Sequence, residues 1–314
     1  MKININKNQE GIRLDKFLYS KYKNSNIIDI QKFIKKKDIK INDKKIDVKY
    51  ILKENDIITF NDFIEKILLN PDKTTIKKNK NISEKYNNLI TNNIIYEDEN
   101  LFVINKVSGL SVQGGSGIDV SIDKILKNLN TIDTNLKLVH RLDKDTSGVL
   151  IIAKNIEAAN ALTEIFKNRK NIKKEYLLFT FGKPTINNGI IDLPLIKKYN
   201  NNVEKVYVDK VNGKKAITKY ELINYSERYN ISLIKANILT GRTHQIRVHF
   251  KEIGCPVLGD FKYGNGNKVN IDIGKNLFLH SWRISLDLFG KDYEFVADLP
   301  KYMEDLKNKL NFDF

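Results

Sequence analysis

The residues with the clearest chemical potential lie in one short polar segment between two apolar stretches. His140, Arg141 and Asp143 follow the first stretch, and the segment closes at Gly148 before the second. Acids and hydroxyls here could satisfy backbone amides in a hydrogen-bonded turn, or they could carry acid–base and nucleophilic chemistry. A hydrolase triad of Ser147, His140 and Asp143 is the weaker alternative, because the sequence TSG lacks the nucleophile-elbow pattern.

Apolar runs of strand length flank this segment and recur in the second part of the chain. The predicted strands are Leu101–Asn105, Val149–Lys154, Tyr176–Phe181 and Ile231–Ile238. One helix is predicted from Ile156 to Lys167, where apolar residues recur at helical spacing. Because strands dominate and most connections are short, an antiparallel or mixed sheet is expected.

The beginning of the chain has a different pattern. Residues 11–60 predict two amphipathic helices followed by short strands, with lysines clustered around the second helix and the turn after it. A polar stretch rich in lysine and asparagine follows. We therefore predict a small domain at 11–60, a linker at 61–88 and a larger domain at 89–314.

Composition supports two folded domains and a polyanionic partner. At about 150 residues per domain, 314 residues predict two, and 41% hydrophobic residues can form a core. Lys and Arg outnumber Asp and Glu by 54 to 38, which gives a formal charge of +16. This excess favours nucleic acid or an acidic membrane surface as partner, although AT-rich codons would produce part of it.

The single cysteine, Cys255, excludes several classes of protein. No internal disulfide and no cysteine-rich zinc site can form, so the zinc-dependent base deaminases are excluded, and no metal is expected. The N-terminus has no apolar signal segment, and the apolar runs are too short to span a membrane. The sequence therefore predicts a soluble, cytoplasmic protein that does not associate with membranes.

The polar segment HRLDKDTSG resembles the signature of the RluA-type pseudouridine synthases. By that resemblance the catalytic aspartate is Asp143, not Asp145. The similarity covers roughly residues 90–290, in consistent order. Its other elements are 97–110, 173–176, 240–249, 256–260 and 279–280. The family's reaction breaks the glycosidic bond, turns the uracil and rejoins it to the ribose through C5, so no cofactor is expected.

The resemblance implies roles for individual side chains. Asp143 would act as a nucleophile or as a base on the sugar, and the sequence leaves both open. An arginine must keep this carboxylate ionised, and Arg247 is the first choice, with Arg242 second. The other arginine would contact a phosphate. Tyr176 would lie under the target base and relay a proton.

The roles of three further side chains near these motifs can also be predicted. Arg141 is expected to occupy the place of the extruded nucleotide, because the target base must leave its stack. His244 and His249 are expected to be structural hydrogen-bonding residues. The glycine-rich stretch 113–117 is similar to a loop of the branch that modifies several uridines in large-subunit ribosomal RNA, with Gln113 in place of the usual histidine.

The 11–60 region resembles an S4 RNA-binding domain through GIRLDKFL, IQKFIKKKDIKIND and LKENDIITF. Asp38 and Asp43 stand where that family often has glycine, which leaves the local turns open. The alternative is a small basic module without that relationship. The residues expected to bind RNA are Arg141, Arg13, Lys16, Lys32, Lys35, Lys36 and Lys44.

Together these expectations describe an α+β protein. It has a pseudouridine synthase fold with a mixed, mainly antiparallel sheet, preceded by a small S4-like domain. The expected activity is the isomerisation of specific uridines in large-subunit ribosomal RNA by a monomer. Alternatives are a synthase acting on transfer RNA or a small nuclear RNA, and a non-catalytic RNA-binding protein.

Overall fold

The chain divides into two compact units, Met1–Lys85 and Tyr86–Phe314, and no hydrophobic cluster of the described residues is shared between them. The computed structural model describes residues 1–22, 25, 27–69, 88–114, 120–129, 136–200, 203–264 and 271–313. No helix in these ranges is long and apolar enough to cross a membrane.

In the described part of the first unit, three α-helices pack with a small sheet. The helices are α1 (Leu14–Lys21), α2 (Ile27–Lys35) and α3 (Asp62–Leu69), and the strands are β1 (Lys2–Asn4), β2 (Lys40–Ile41) and β3 (Ile57–Thr59). Strand β3 pairs antiparallel with both β1 and β2. The apolar faces of α1 and α2 are buried through Leu14, Leu18, Ile30 and Ile34. Helix α3 lies within 61–88, the predicted linker, but buries Ile64 and Leu68, so the folded part of this unit reaches Leu69.

The turns around Asp38 and Asp43 form without glycine. Lys37 has φ 67°, Asn42 has φ 49° and Asp43 has φ 60°, all in the left-handed region. The Asn42 side chain supports the second turn, since its Nδ2 donates to Asp56 and its Oδ1 accepts from the Ile57 amide. Short polar side chains tolerate this conformation because they form such local hydrogen bonds.

The second unit is built on one large sheet. Its strands are β4 (Ile94–Glu97), β5 (Leu101–Lys106), β6 (Lys137–Leu138), β7 (Ser147–Ala153), β8 (Ile172–Phe181), β9 (Asn188–Asp192), β12 (Ile217–Ser226), β13 (Ile231–Ile238), β14 (Leu279–Leu288) and β15 (Lys291–Val296). The order is β4-β5-β7-β14-β8-β13-β12-β9, with β6 on β7 and β15 on β14. Among these described strands only β7 and β14 pair in parallel. The prediction of a mixed, mainly antiparallel sheet is therefore confirmed.

The remaining elements cover or extend this sheet. A separate antiparallel hairpin consists of β10 (Leu195–Asn200) and β11 (Val203–Val208). The helices are α4 (Ile122–Leu129), α5 (Ile156–Asn168), α6 (Gln245–Glu252) and α7 (Lys301–Leu310). The predicted helix at 156–167 is α5, and its Ala158 and Leu162 are fully buried.

Strand β7 lies in the middle of the unit and is buried along its whole length. Alternate residues face opposite sides, so Leu150 and Ile152 join one core while Val149 and Ile151 join the other, beneath α5. Residues buried on both faces read as a continuous apolar run, as the sequence shows. The polar segment thus leads directly into a strand that is buried on both faces.

Gly148 permits the close approach of β7 and β14. Its φ of 107° is unfavourable for other residues, and a Cβ there would overlap the backbone of Ser281. This approach places Ser147 opposite His280 in the parallel pair. Only glycine fits at this position.

Candidate active site

Asp143 lies in the loop between β6 and β7, where it faces two adjacent cavities. The cavities have volumes of about 410 and 450 Å³, and Asp143, His244 and Arg247 line both. The Asp143 side chain is 20% exposed, so a substrate can reach it. A main-chain hydrogen bond from the Thr146 amide to the Asp143 carbonyl closes the turn behind it.

Three groups from the end of β5 and the segment after it hold this loop through hydrogen bonds. Lys106 donates to the carbonyl oxygen of Lys144 at 3.0 Å. The Ser108 hydroxyl donates to the Asp145 carbonyl at 2.7 Å, and the Gly109 amide donates to the Lys144 carbonyl at 3.0 Å. The backbone on the C-terminal side of Asp143 is therefore held by hydrogen bonds from another part of the chain.

Lys106 is an almost completely buried cation. It is 1% exposed, and its Nζ also donates to the carbonyls of Val107 and Leu110 at 2.9 Å. Burial lowers the pKa of Lys106 to about 7, against the opposing effect of Asp145 and Asp143. Three carbonyl acceptors match the three N–H donors of an ammonium group, whereas a neutral amine has only two. These hydrogen bonds oppose the effect of burial, so a substantial fraction of Lys106 is still charged at pH 7.

The structure does not assemble the hydrolase triad that the sequence left open. His140 accepts from the Ile151 amide through Nε2 and stacks on Phe166 at 4.2 Å. Ser147 is 1% exposed, and its hydroxyl bonds instead to Nδ1 of His280 at 2.9 Å. Burial lowers the pKa of His140 to about 3, so its ring is neutral and structural.

Arg247 projects from α6 and lies near Asp143, and it forms a bidentate ion pair with a different carboxylate. Its Nε and Nη2 each donate to Asp260 at 2.7 Å, while its Nη1 lies 4.0 Å from Oδ2 of Asp143. Asp260 also accepts from the amides of Lys262 and Tyr263. Asp260 thus fixes the guanidinium, whose remaining nitrogen faces Asp143.

His244 and His249 have different surroundings. His249 is fully buried and bonds to Thr218 Oγ1 and the Leu193 carbonyl, which fits the structural role expected of it. His244 bonds to the Tyr263 hydroxyl at 2.7 Å and places Nε2 3.9 Å from Asp143. Burial lowers the pKa of His244 to about 4 despite the nearby Asp143. It is therefore neutral near pH 7. No motif or spacing in the sequence indicates that His244 lies this close to Asp143.

Tyr176 lies on β8 and lines the first cavity together with Asp143. It is 8% exposed, and burial raises its pKa to about 12, with a further contribution from the Asp143 charge. The phenol is therefore protonated at neutral pH and can donate a hydrogen bond into the cavity. This placement is compatible with the predicted position under the base.

Cations form another part of the first cavity's wall. Arg242 does not pair with Asp143; its Nε donates to the Lys215 carbonyl at 3.0 Å. Arg141 is exposed and lines the same cavity. Arg169 and Lys174, for which no role was predicted from the sequence, line it too. Period-two alternation along β8 puts Lys174 on the same face as Tyr176, and that signal could have identified it.

The cations predicted to bind RNA in the first unit fall into two groups. Lys16, Lys35, Lys36 and Lys44 are exposed and have no carboxylate within 4.0 Å among the residues described for this unit. Arg13 instead holds the buried Asp15 through two hydrogen bonds, and Lys32 pairs with Asp29 at 3.0 Å. Arg13 therefore has a structural task in addition to any contact with RNA.

The structure describes only part of the glycine-rich stretch, and its described residues contain no group suited to a metal ion. Of the glycine-rich stretch 113–117, residues 115–117 lie outside the described residues. Within the described ranges, no three His, Cys, Asp or Glu side chains are grouped so that they could hold a metal ion.

Comparison with known proteins gives consistent matches over both units. Residues 100–252 match the family model for RNA pseudouridylate synthase, and residues 12–58 match the S4 domain. Ribosomal large subunit pseudouridine synthase C of Rickettsia typhi is 39% identical over 292 residues, which cover 92% of this chain and 94% of that protein. The protein of the same name from Haemophilus influenzae is 33% identical over 316 residues, with 98% and 94% covered. The solved structure of human RNA pseudouridylate synthase domain containing 4 is 26% identical with a TM-score of 0.63, and the match covers 74% of this chain and 98% of that one.

Proposed function

This chain belongs to the RNA pseudouridylate synthase family, and we propose that it converts specific uridines of large-subunit ribosomal RNA to pseudouridine, with Asp143 as the catalytic carboxylate. Membership in the family confirms the predicted resemblance and makes the protein an isomerase. What we propose beyond family membership is the RNA substrate and the roles of individual side chains.

The observation that carries the assignment is the charge pattern of the first cavity. Asp143 is the only carboxylate among the described residues that line it. The other charged side chains there are the cations Arg141, Lys167, Arg169, Lys174, Arg242 and Arg247. A basic cavity suits a polyanion, and one carboxylate within it suits a reaction that needs a single nucleophile or base.

In this proposal the side chains divide the work of one isomerisation. The bond from C1′ of the ribose to N1 of uracil breaks, the base turns, and a bond from C1′ to C5 forms while the C5 proton leaves and N1 gains one. Asp143 acts on the sugar as nucleophile or base. Arg247 stabilises the ionised carboxylate from 4.0 Å, and Asp260 holds Arg247 in position. The protonated Tyr176 supports the base and relays the proton at C5.

Ribosomal RNA is favoured as substrate by two observations outside the cavity. Relatives that cover more than nine-tenths of the chain are named for the large ribosomal subunit. An S4 domain precedes the catalytic unit and exposes Lys16, Lys35, Lys36 and Lys44, which can neutralise phosphates. A monomeric, cytoplasmic protein fits this role, and sedimentation of the purified protein tests the first of these two predictions.

Mapping pseudouridines in cellular RNA tests the proposed substrate. Cells that lack the protein should lose pseudouridine at specific positions of large-subunit ribosomal RNA, and the wild-type chain should restore them while the Asp143→Asn chain should not. Loss confined to transfer RNA would favour that alternative substrate. An unchanged pseudouridine map in all RNAs would contradict the proposal.

A further inference from the structure

Lys174 is a buried cation without a counter-ion. Its side chain is 8% exposed and lines the cavity that contains Asp143. Its Nζ lies 6.0 Å from the centre of the Phe166 ring, but no carboxylate or carbonyl oxygen of the described residues accepts a hydrogen bond from it. A buried charge without a partner is unfavourable, which suggests that the partner arrives with the ligand.

Two arginines share this part of the cavity wall. Arg169 follows α5 and donates to the Leu239 carbonyl at 3.2 Å, and Arg242 donates to the Lys215 carbonyl. Neither has a carboxylate within 4.0 Å among the residues that the structure describes. Each carbonyl occupies one N–H group, so several donors of each guanidinium remain for a ligand.

The cationic groups repel one another. Burial and the charge of Arg169 lower the pKa of Lys174 to about 8, and burial and Arg242 lower that of Arg169. An anion placed among them would relieve this repulsion. It would also restore the pKa of Lys174 toward its ordinary value.

Gly241 leaves room at the point where two of these cations converge. A Cβ at this position would lie 3.6 Å from Nη2 of Arg169 and 3.9 Å from Nζ of Lys174. Because the glycine has no side chain, this space is open to a ligand atom. The backbone here does not require glycine, since no left-handed φ is found at this residue.

We infer that Arg169, Lys174 and Arg242 form a phosphate subsite beside Gly241, which binds a phosphodiester adjoining the target nucleotide. The inference rests on the proposed function, because it takes RNA as the ligand. Lys174 and Tyr176 lie on one face of β8 with Cα atoms about 7 Å apart. A nucleotide whose uracil lies against Tyr176 therefore has a neighbouring phosphate within reach of Lys174.

Charge-removing substitutions provide the first test. Lys174→Met and Arg169→Gln should each weaken the binding of a large-subunit ribosomal RNA transcript about tenfold, and should reduce the slope of log Kd against log salt by about 0.7 to 1. The matched control is Lys173→Met on the same strand. Lys173 is 55% exposed and pairs with Glu175 at 2.9 Å, so its removal should leave the slope unchanged.

Gly241→Ala tests the same subsite without changing its charge. The added methyl would fill the space between Arg169 and Lys174 at ordinary contact distances, so the fold should survive while the phosphate is excluded. Affinity should fall to a similar extent as for Lys174→Met. If Lys174→Met does not fold, Gly241→Ala decides the question, and full affinity of that variant would contradict the subsite.

Neutralising single phosphates locates the ligand. In a short RNA that contains a mapped target uridine, each flanking phosphate is replaced in turn by an uncharged methylphosphonate. At one position the wild-type protein and Lys173→Met should lose affinity equally, whereas Lys174→Met should lose clearly less, because only Arg169 and Arg242 remain to bind that phosphate. Equal sensitivity of Lys174→Met and wild type at every position would refute the subsite. A wild-type protein that forms no pseudouridine in ribosomal RNA would instead refute the proposed function.

Discussion

Asp143→Asn should abolish the chemical step while leaving the loop intact. Among the described residues, the side-chain nitrogens nearest to the Asp143 carboxylate in ion-pair range are Nε2 of His244 and Nη1 of Arg247, at 3.9 and 4.0 Å, and both distances exceed that of a hydrogen bond. The loop is held through main-chain carbonyls and through Lys106. An amide of nearly the same shape disturbs none of these contacts.

The expected loss follows from the charge that is removed. The removed charge lies on the carboxylate, whose Oδ2 is 4.0 Å from Nη1 of Arg247. The amide has neither this charge nor nucleophilic oxygen, so we expect a rate at least about 10³-fold lower, or roughly 4 kcal/mol of barrier. Stability should change little, because Asp260 continues to neutralise Arg247.

Tritium release from C5-labelled uridine in ribosomal RNA transcripts, under single-turnover conditions, measures this step directly. Asp145→Asn is the matched control, because Asp145 lies two positions along the same loop and contributes its backbone carbonyl to the Ser108 contact. RNA affinity should persist in both variants. If Asp145→Asn is inactive and Asp143→Asn is active, the assignment of the catalytic carboxylate is wrong.

Other perturbations separate binding, proton transfer and stability. Tyr176→Phe keeps the ring and removes the hydroxyl, so the single-turnover rate should fall sharply at nearly constant RNA affinity, and an unchanged rate would leave only a supporting role. Removing residues 1–85 should leave the second unit folded by circular dichroism but give weaker RNA binding with a shallower salt dependence, whereas an unchanged slope would contradict RNA binding by the first unit. Burial lowers the pKa of Lys106 to about 7 in the folded protein, so the unfolded chain binds the Lys106 proton more tightly. The free energy of unfolding, relative to that of Lys106→Met, should therefore rise between pH 7 and about 10.5. Chemical denaturation should show a rise of up to about 1.4 kcal/mol per pH unit. Gly148→Ala should destabilise the fold by more than about 3 kcal/mol in the same assay, since its methyl would overlap the Ser281 backbone, and a smaller effect would mean that β14 can shift.

Local patterns of apolar and polar residues predicted much of the fold. They did not predict the elements that depend on contacts between residues far apart in the sequence. The strand at 231–238 was predicted with its observed bounds. Strand β8 begins four residues before the predicted Tyr176, because Lys173, Lys174 and Glu175 interrupt the apolar pattern although two of them are buried. Strand β1 has only three residues, and pairing with β3, more than fifty residues later, defines it. Sequence alone contains no signal for such a pairing.

In the candidate active site, too, contiguous motifs were predictable from the sequence, whereas contacts between distant residues were not. The motif around Asp143 is contiguous, so its residues could be identified together. The role of Asp260 could not, since its bond to Arg247 joins a helix to a later turn and depends on tertiary packing. Arg247 was expected to pair with Asp143, but its hydrogen bonds go to Asp260, and only Nη1 faces Asp143. His244 was assigned a structural role because spacing says nothing about its distance to Asp143.

The fastening of the Asp143 loop has a consequence for substrate selection. Lys106, Ser108 and Gly109 tie its backbone down by hydrogen bonds, and the adjoining strand is buried on both faces. A loop held in this way has little freedom to move toward a base that remains stacked in a folded RNA. The RNA itself must therefore change conformation, and the free energy of unstacking the base is a cost to the RNA. We expect uridines in weakly paired or strained positions to react first. The mechanical compliance of the RNA would then contribute to selectivity, alongside the identity of the neighbouring bases.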